Sequence, residues 1–270
     1  MKKDRQRILS PAAAMGIILL GAAVILAFFN PLLAAAVAMF YVVLCIAASF
    51  FPESGFFLPV ISRGNTGKKY VALTFDDGPA EPTTRQILDL LDKHSMKATF
   101  FVAGVKSAAH PGIIKEIVSR GHSIGNHSFN HNPFLMLKSR DAIFREIALT
   151  QEILMKMEII TKAFRPPVGI VNPKLGELLR GLDMFCVTFS LRAGDAGNRF
   201  VKNISGKILS KIKKDDIILL HDVPPQSKDE EKIFLQEIDN LLSGITAEGF
   251  SVIPLSRLIG REIFWRQKEQ

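Results

Sequence analysis

From Ile8 to Phe51 the chain runs for 44 residues without an aspartate, glutamate, lysine, arginine or histidine. A helix needs only about 20 apolar residues to cross the hydrocarbon core of a bilayer, so the sequence argues against a purely soluble protein. As a single helix, rising about 1.5 Å per residue, the run would be roughly twice as long as that core is thick. Asn30-Pro31, near its middle, supplies the break, because proline lacks an amide hydrogen and clashes with the preceding turn. Two spans are predicted, Ile8 to Phe29 and Leu32 to Phe51, joined as a transmembrane hairpin. A cleaved signal peptide fits less well, since its apolar core is only about 7 to 15 residues long. Lys2, Lys3, Arg5 and Arg7 precede the first span. The positive-inside bias holds such residues in the cytoplasm, and two crossings return the downstream domain to the same side. Arg63, Lys68 and Lys69 agree with that placement, and a single crossing with a re-entrant piece is the extracytoplasmic alternative. The stretch Phe50 to Ile61, with four phenylalanines interrupted by Pro52, Gly55 and Pro59, suits an interfacial connector or a loop packed under the domain.

Composition narrows the classes further. A hydrophobic fraction of 48% excludes a disordered chain, and two cysteines exclude a disulfide framework. Cys45 lies inside the apolar run and Cys186 far downstream, so no bridge between them is expected. The net charge is +8, yet no run of five or more basic residues is interleaved with aromatics, which argues against a nucleic-acid partner. A mildly basic membrane protein is better matched to an anionic lipid surface, or simply to a solvated basic face.

After residue 68 short apolar runs alternate with amphipathic stretches. Strands are predicted at Tyr70 to Phe75, Ala98 to Val102, His122 to Gly125, Lys162 to Arg165, Met184 to Phe189, Asp216 to His221 and Phe250 to Ile253. Helices are predicted at Thr83 to His94, Gly112 to Arg120, Ser139 to Met157, Lys174 to Arg180, Ile204 to Ile212 and Glu230 to Leu242. This alternation argues for an α/β fold with a parallel sheet covered by helices. Periodicity does not choose between a closed barrel and an open sheet, but in both the sites lie at the C-terminal ends of the strands.

Polar groups gather at those ends. Thr74-Phe75-Asp76-Asp77-Gly78-Pro79 sets two carboxylates side by side after the first strand, and is also ordinary turn chemistry. His127-Ser128-Phe129-Asn130-His131 follows the third strand, and its histidines share a face if the segment makes a helical turn. One aspartate with two histidines is a three-ligand set that leaves metal positions open for water and substrate. Arg165-Pro166-Pro167-Val168-Gly169 follows the fourth strand, and Leu219-Leu220-His221-Asp222 closes the sixth. Taken singly, Arg165 could be a surface guanidinium and His221 a satisfied histidine.

In order and approximate spacing, TFDDGP at 74–79, HSFNH at 127–131, RPPVG at 165–169 and LLHD at 219–222 resemble the motifs of the NodB-like polysaccharide deacetylases, carbohydrate esterase family 4. The resemblance runs from about Lys69 to Leu258 and takes in ATFFVAG at 98–104 and RGHSIGNHS at 120–128. It implies a distorted seven-stranded (β/α) barrel, and with the two-helix hairpin predicted in front of it the chain divides into an anchor at 1–51, a connector at 52–68, a catalytic domain at 69–260 and a tail at 261–270. It implies removal of an N-acyl group from an amino sugar; the predicted topology then chooses the substrate class, a sugar on a polyprenyl carrier for a cytoplasmic domain and a polymer for an outward-facing one. By similarity Asp77, His127 and His131 hold a divalent metal, commonly zinc. Asp76 is the general base oriented by Arg165, and His221 the acid that protonates the leaving amine. Asp195 raises the pKa of His221, the backbone amide of Val168 faces the oxyanion, and Leu219 lines the pocket for the acetyl methyl. Two departures stand out. Val168 replaces a frequent tyrosine, and Ala196 follows Asp195 where the family usually has a tryptophan nearby, the only one here being Trp265.

Two competing readings carry different expectations. A non-haem iron oxygenase also uses two histidines and a carboxylate, but needs neither a spare aspartate nor a histidine acid. A catalytically silent glycan-binding module would not need Asp76 and His221 intact.

Overall fold

The structure, a computed structural model, describes residues 9–266. Lys2, Lys3, Arg5 and Arg7, the basis of the predicted orientation, lie outside the described residues, as do Ile8 and the last four residues of the predicted tail.

The apolar run forms two antiparallel helices, α1 (Pro11–Ala27) and α2 (Pro31–Ser49). Both start the same way. A side-chain oxygen caps the first turn, Ser10 receiving the amide of Ala13 and Asn30 that of Leu33, with proline next in line where its missing amide is not needed. Pro31 therefore opens α2 instead of preceding it, and both helices are shorter than the spans read from the sequence. Tyr41 packs on Gly16 and donates its hydroxyl to the carbonyl of Ala12 at 3.0 Å, pinning the pair together. Among the described residues, α2 is long and apolar enough to cross a membrane, while α1 is apolar but has only 17 residues. Their outer faces expose Ile17, Ile18, Phe28, Phe29, Leu32 and Phe40. The hairpin base is stitched to the remainder by backbone bonds from Ala12 to Phe56 at 3.0 Å and from Val171 to Ser49 at 3.2 Å, and Ala12 and Ala48 are buried against Phe57, Leu58 and Val171.

Beyond it the chain runs β1 (Val60–Ile61), β2 (Tyr70–Asp76), α3 (Thr83–Lys93), β3 (Ala98–Val102), α4 (Gly104–Ala109), α5 (Pro111–Ser119), β4 (Ser123–Asn126), α6 (Arg140–Met155), β5 (Ile159–Thr161), β6 (Ala163–Phe164), α7 (Leu175–Gly181), β7 (Phe185–Val187), β8 (Leu191–Arg192), α8 (Ile204–Leu209), β9 (Ile217–His221), α9 (Lys228–Ala247), β10 (Ser251–Val252), α10 (Leu255–Ile259) and β11 (Phe264–Arg266). One parallel sheet takes the order β1-β7-β6-β4-β3-β2-β9-β8, with β10 added beside β2. It curls into a half-barrel with two edges, β1 and β8, so the seven-stranded barrel is corrected to a nine-stranded sheet that does not close. The extra strands are two residues long. β1 lies in the stretch predicted to be connector, and β8 is too short to carry a period-2 pattern. The predicted tail also changes, since Phe264–Arg266 pairs antiparallel with β5.

The central strands are buried on both faces, as parallel strands under helices must be. In β2 every residue from Val71 to Asp76 is buried, and β3 is buried throughout. The main core collects Val71, Leu73 and Phe75 of β2, Phe100 and Val102 of β3, and Ile87, Leu88 and Leu91 of α3. A second cluster joins α6 and α7 to Phe57 and Leu58, so this part of the connector is packed under the sheet.

Candidate active site

Strand register brings the first and last motifs together. β2 pairs with β9 so that Thr74 lies opposite Leu219 and Asp76 opposite His221. Alternation along a strand then places Thr74, Asp76, Leu219 and His221 on one face, toward the inside of the curl. Asp76 is 3% exposed and Leu219 5%.

Immediately beyond, the backbone leaves ordinary conformational space. Asp77 has φ 73°, Ser128 65°, His131 51° and Val168 52°, left-handed values that non-glycine residues rarely adopt and that cluster where a site over-determines the chain. The HSFNH segment is not the helical turn anticipated. Asn126 accepts the amide of Ser128 at 2.9 Å, while the Glu146 carboxylate on α6 accepts the amides of Phe129 and Asn130 at 3.0 and 2.7 Å. Those bonds replace the i to i−4 ladder, yet the rings of His127 and His131 still meet at 4.7 Å between centroids.

Asp77 Oδ1 lies 3.3 Å from His127 Nε2 and 2.9 Å from His131 Nε2. It is buried, and no donor is aligned on it as a hydrogen bond. Burial pushes Asp77 up, but the two histidines outweigh that and hold it well below the usual carboxylate range. Burial likewise pulls His127 down, and Asp76 and Asp77 reverse the sign to raise it. A pocket whose field draws a proton onto a fully buried imidazole favours a cation generally. His127 is oriented by its other nitrogen, Nδ1, at 2.8 Å from the carbonyl of Arg165, which leaves Nε2 for a ligand. One oxygen and two nitrogens, all within 4.8 Å of one another, with one acceptor unmatched, fit a divalent ion.

Arg165 is not a surface group. It is fully buried, with Nη1 donating to Asp76 Oδ1 at 2.6 Å and to the Thr74 hydroxyl at 2.8 Å, Nη2 to the Thr188 carbonyl at 2.8 Å, and Nε to the Val187 carbonyl at 3.3 Å. Its Cζ lies over the Phe101 ring, 3.9 Å from the ring centre. On the opposite wall His221 Nδ1 is 2.7 Å from Asp195 Oδ2, and Asp195 is 1% exposed. Burial draws His221 down, but the bond to Asp195, with Asp76 and Asp77 farther off, holds its pKa above the ordinary histidine value. Val168 is half exposed on the loop after Arg165. Trp265 stands on β11, paired to Ile160 of β5, and takes no part.

The structure thus converges Asp76, Asp77, His127, His131, Arg165 and His221, and adds Asp195 through His221. Three supports escaped the sequence reading. Thr74 bridges Arg165 and the Ile218 carbonyl at 2.8 Å on each side. Glu146 sits mid-helix, with nothing local to distinguish it from a solvated charge. Asp222, part of a motif already singled out, is pushed up to about 7 by burial and bonds the Thr84 hydroxyl at 2.8 Å. It fills the space beside Gly78 so completely that a methyl there would meet its carboxylate.

A parallel sheet curled around paired carboxylates, imidazoles and a buried guanidinium has the makings of a hydrolase, and comparison with known proteins narrows that class. A family model for polysaccharide deacetylase matches residues 63–187. A chitooligosaccharide deacetylase from Sinorhizobium fredii is 31% identical over 170 residues, spanning 63% of this chain and 79% of that enzyme. The peptidoglycan-N-acetylglucosamine deacetylase PgdA of Listeria monocytogenes is 30% identical over 207 residues, 76% of this chain but 42% of that longer protein. Among solved structures, the Bc1960 peptidoglycan N-acetylglucosamine deacetylase superposes with a TM-score of 0.69 at 28% identity, covering 76% of this chain and 94% of that one. The chain belongs to the NodB-like polysaccharide deacetylases of carbohydrate esterase family 4, a family of carbohydrate N-deacetylases.

Proposed function

We propose that this chain is a membrane-anchored, metal-dependent deacetylase that removes an N-acetyl or related N-acyl group from an amino sugar, releasing a carboxylate and a free amine. One observation carries the reading. Side chains of four separate motifs meet at one end of the sheet, and Asp195 stands behind His221, so that the proton acceptor and the proton donor are each already fixed by a buried partner. Asp77, His127 and His131 would hold the divalent ion, zinc by the match of its preference for nitrogen and oxygen donors. Such an ion supplies Lewis acidity to the acyl carbonyl and to the attacking water.

The remaining work belongs to the protein. Asp76 takes the water proton through Oδ2, because Oδ1 is engaged by Arg165. The backbone amide of Val168 faces the developing oxyanion. Leu219 packs against the acyl methyl. His221, kept protonated by Asp195, delivers a proton to the departing nitrogen, without which an amine is a poor leaving group.

In Asp77→Asn and His131→Ala, metal content measured after purification is expected to drop well below one ion per chain, and full occupancy in both would remove them as ligands. In His221→Ala, metal stays bound while turnover falls roughly a hundredfold or more. The same acid sets the pH dependence. Activity is lost as pH rises through the raised pKa of His221, and Asp195→Asn, by withdrawing the anion, moves that alkaline limb to lower pH. A limb that stays in place would detach Asp195 from His221.

The hairpin supports membrane attachment through the apolar faces of α1 and α2 and through the backbone bonds tying its base to the loop after Arg165. A cytoplasmic domain, the orientation favoured by the N-terminal basic residues, would meet sugars on a polyprenyl carrier. An outward one would meet peptidoglycan or a secreted polysaccharide. A topology reporter fused after Gln270 decides the side, and acetate release from lipid-linked and polymeric amino sugars, with Asp76→Asn as control, tests the activity.

A further inference from the structure

Outside the hairpin, the two most exposed large apolar side chains among the described residues sit on one short turn. Leu137 is 81% exposed and Phe134 67%. Apolar side chains scattered singly over a surface are ordinary, whereas contiguous ones mark an interaction site. The turn is built to present this pair. Asn132 Oδ1 receives the amide of Phe134 at 2.8 Å, and the Phe134 carbonyl receives the amide of Leu137 at 3.0 Å, winding Leu135–Leu137 into a 3₁₀ turn. Residues i and i+3 eclipse in that geometry, so Phe134 and Leu137 share a face. Leu135 and Met136, between them, are buried and hold the turn down.

The surroundings of the turn say what the exposed pair meets. Its two buried residues belong to the same apolar cluster as Ala12 and Ala48 of the hairpin, with Cys45 of α2 packed against it. The Met136 carbonyl accepts Asn172 Nδ2 at 2.6 Å, and the neighbouring Val171 donates its amide to Ser49, the last residue of α2, at 3.2 Å. Two hydrogen bonds thus lead from the turn to the foot of a helix long and apolar enough to cross a bilayer. Phe50 and Phe51, at that foot, are exposed as well. Lys138, next in the chain, is exposed, as is Lys174, whose Nζ donates to the Lys138 carbonyl at 3.0 Å. Exposed apolar side chains bordered by lysines match a surface lying in the headgroup layer. In the other direction along the chain, the turn begins just after His131, a member of the Asp77, His127, His131 cluster.

We propose that Phe134 and Leu137 dip into the bilayer interface beside the hairpin, a second lipid contact that holds the mouth of the metal-ligand cluster at the level of the headgroups. The proposal rests on the membrane-anchored reading and deepens it. A protein partner is the weaker occupant, because the turn is tied to the part of the chain that already has an apolar surface to place in lipid.

The test uses the full chain carrying Trp265→Phe in nanodiscs of phosphatidylcholine and phosphatidylglycerol. A nanodisc is open to water on both faces, so the result does not depend on topology. Single tryptophans are introduced as Phe134→Trp, Leu137→Trp or, in the middle of α2, Phe40→Trp, and emission is compared between ordinary and brominated lipids. All three are expected to be quenched, Phe40→Trp by bromines deep in the acyl chains and the other two by bromines near the headgroup. Adding Leu137→Asp is expected to relieve most of the quenching of Phe134→Trp. Quenching at Phe40→Trp with none at Phe134→Trp and Leu137→Trp would overturn the second contact and leave the anchor standing. No quenching at Phe40→Trp would instead sink the membrane-anchored reading. Shielding of the two turn reporters from aqueous iodide without lipid quenching, in discs that hold two copies, would give the face to a second copy. Shielding that appears only when an N-acetylated chitooligosaccharide is added would give it to the sugar, and either result overturns the lipid contact. Both positions are exposed, so thermal melts of the tryptophan variants are expected to match that of the Trp265→Phe chain, and none of the readouts requires turnover.

Discussion

Asp76→Asn is expected to lower turnover by about 10²- to 10⁴-fold, the span of a positioned general base, while the bound metal stays near wild-type stoichiometry. Asparagine keeps the size of the side chain and one oxygen to accept from Arg165 Nη1, now 2.6 Å away. It removes the ability to take a proton. Asp76 Oδ2 stands 3.6 Å from His127 Nε2, close to the proposed metal ligands, so the two readouts must be taken together. A kcat that collapses with metal retained marks a base. Loss of both would make Asp76 a fourth ligand, and an unchanged kcat would end the hydrolytic scheme. The contrast with Asp77→Asn is the informative part. The neighbouring carboxylates differ by one residue, but Asp76 still has the β-strand backbone that points it into the curl, whereas Asp77 at φ 73° is turned toward the histidines. Adjacent aspartates are thereby given separate tasks.

How much of this could be read from the chain varies with the physical origin of each feature. The parallel α/β architecture and the cores of β2, β3 and β9 were legible because double-sided burial writes nearly continuous apolar runs such as Val71 to Phe75, broken only by Thr74, and Ile217 to Leu220. The number of strands was not, because Val60–Ile61 and Leu191–Arg192 join the sheet through two residues each and leave no periodic trace. Closure was equally hidden, since an edge at β1 or β8 is a matter of twist and neighbour, not of local pattern. The reacting residues sit in short motifs and could be named. Their geometry could not be derived from spacing, as the HSFNH loop shows. A helical turn was the natural way to bring His127 and His131 together, yet three positive-φ or side-chain-bonded positions and a carboxylate from α6 achieve it instead. Thr74, Glu146 and Thr188 matter only through partners far away in sequence. No window of neighbouring residues reveals them.

Arg165→Met is expected to destabilise the folded chain by about 3–5 kcal/mol, the range for removing one partner of a buried ion pair. Among the described residues the guanidinium belongs to the largest fully buried side chain, and Asp76 is the carboxylate paired with it. Methionine would preserve much of the volume under Phe101 but would take the Arg165 donors away from four acceptors: the Thr74 hydroxyl, the Asp76 carboxylate, the Val187 carbonyl and the Thr188 carbonyl. Leaving a buried acceptor without its donor is the expensive half of losing a hydrogen bond. Arg165→Lys keeps the charge yet lacks the planar fork that reaches Thr74, Asp76 and the two carbonyls at once, so it should recover only part of the loss. A double-mutant cycle discriminates between packing and charge. If the ion pair dominates, Asp76→Asn combined with Arg165→Met should be less destabilised than the sum of the two single variants, because neither then strands a buried charge. Additive losses in a thermal or denaturant melt of the full chain would instead assign Arg165 to cavity filling and backbone tethering. The orientation of the base would then have to come from β2 alone.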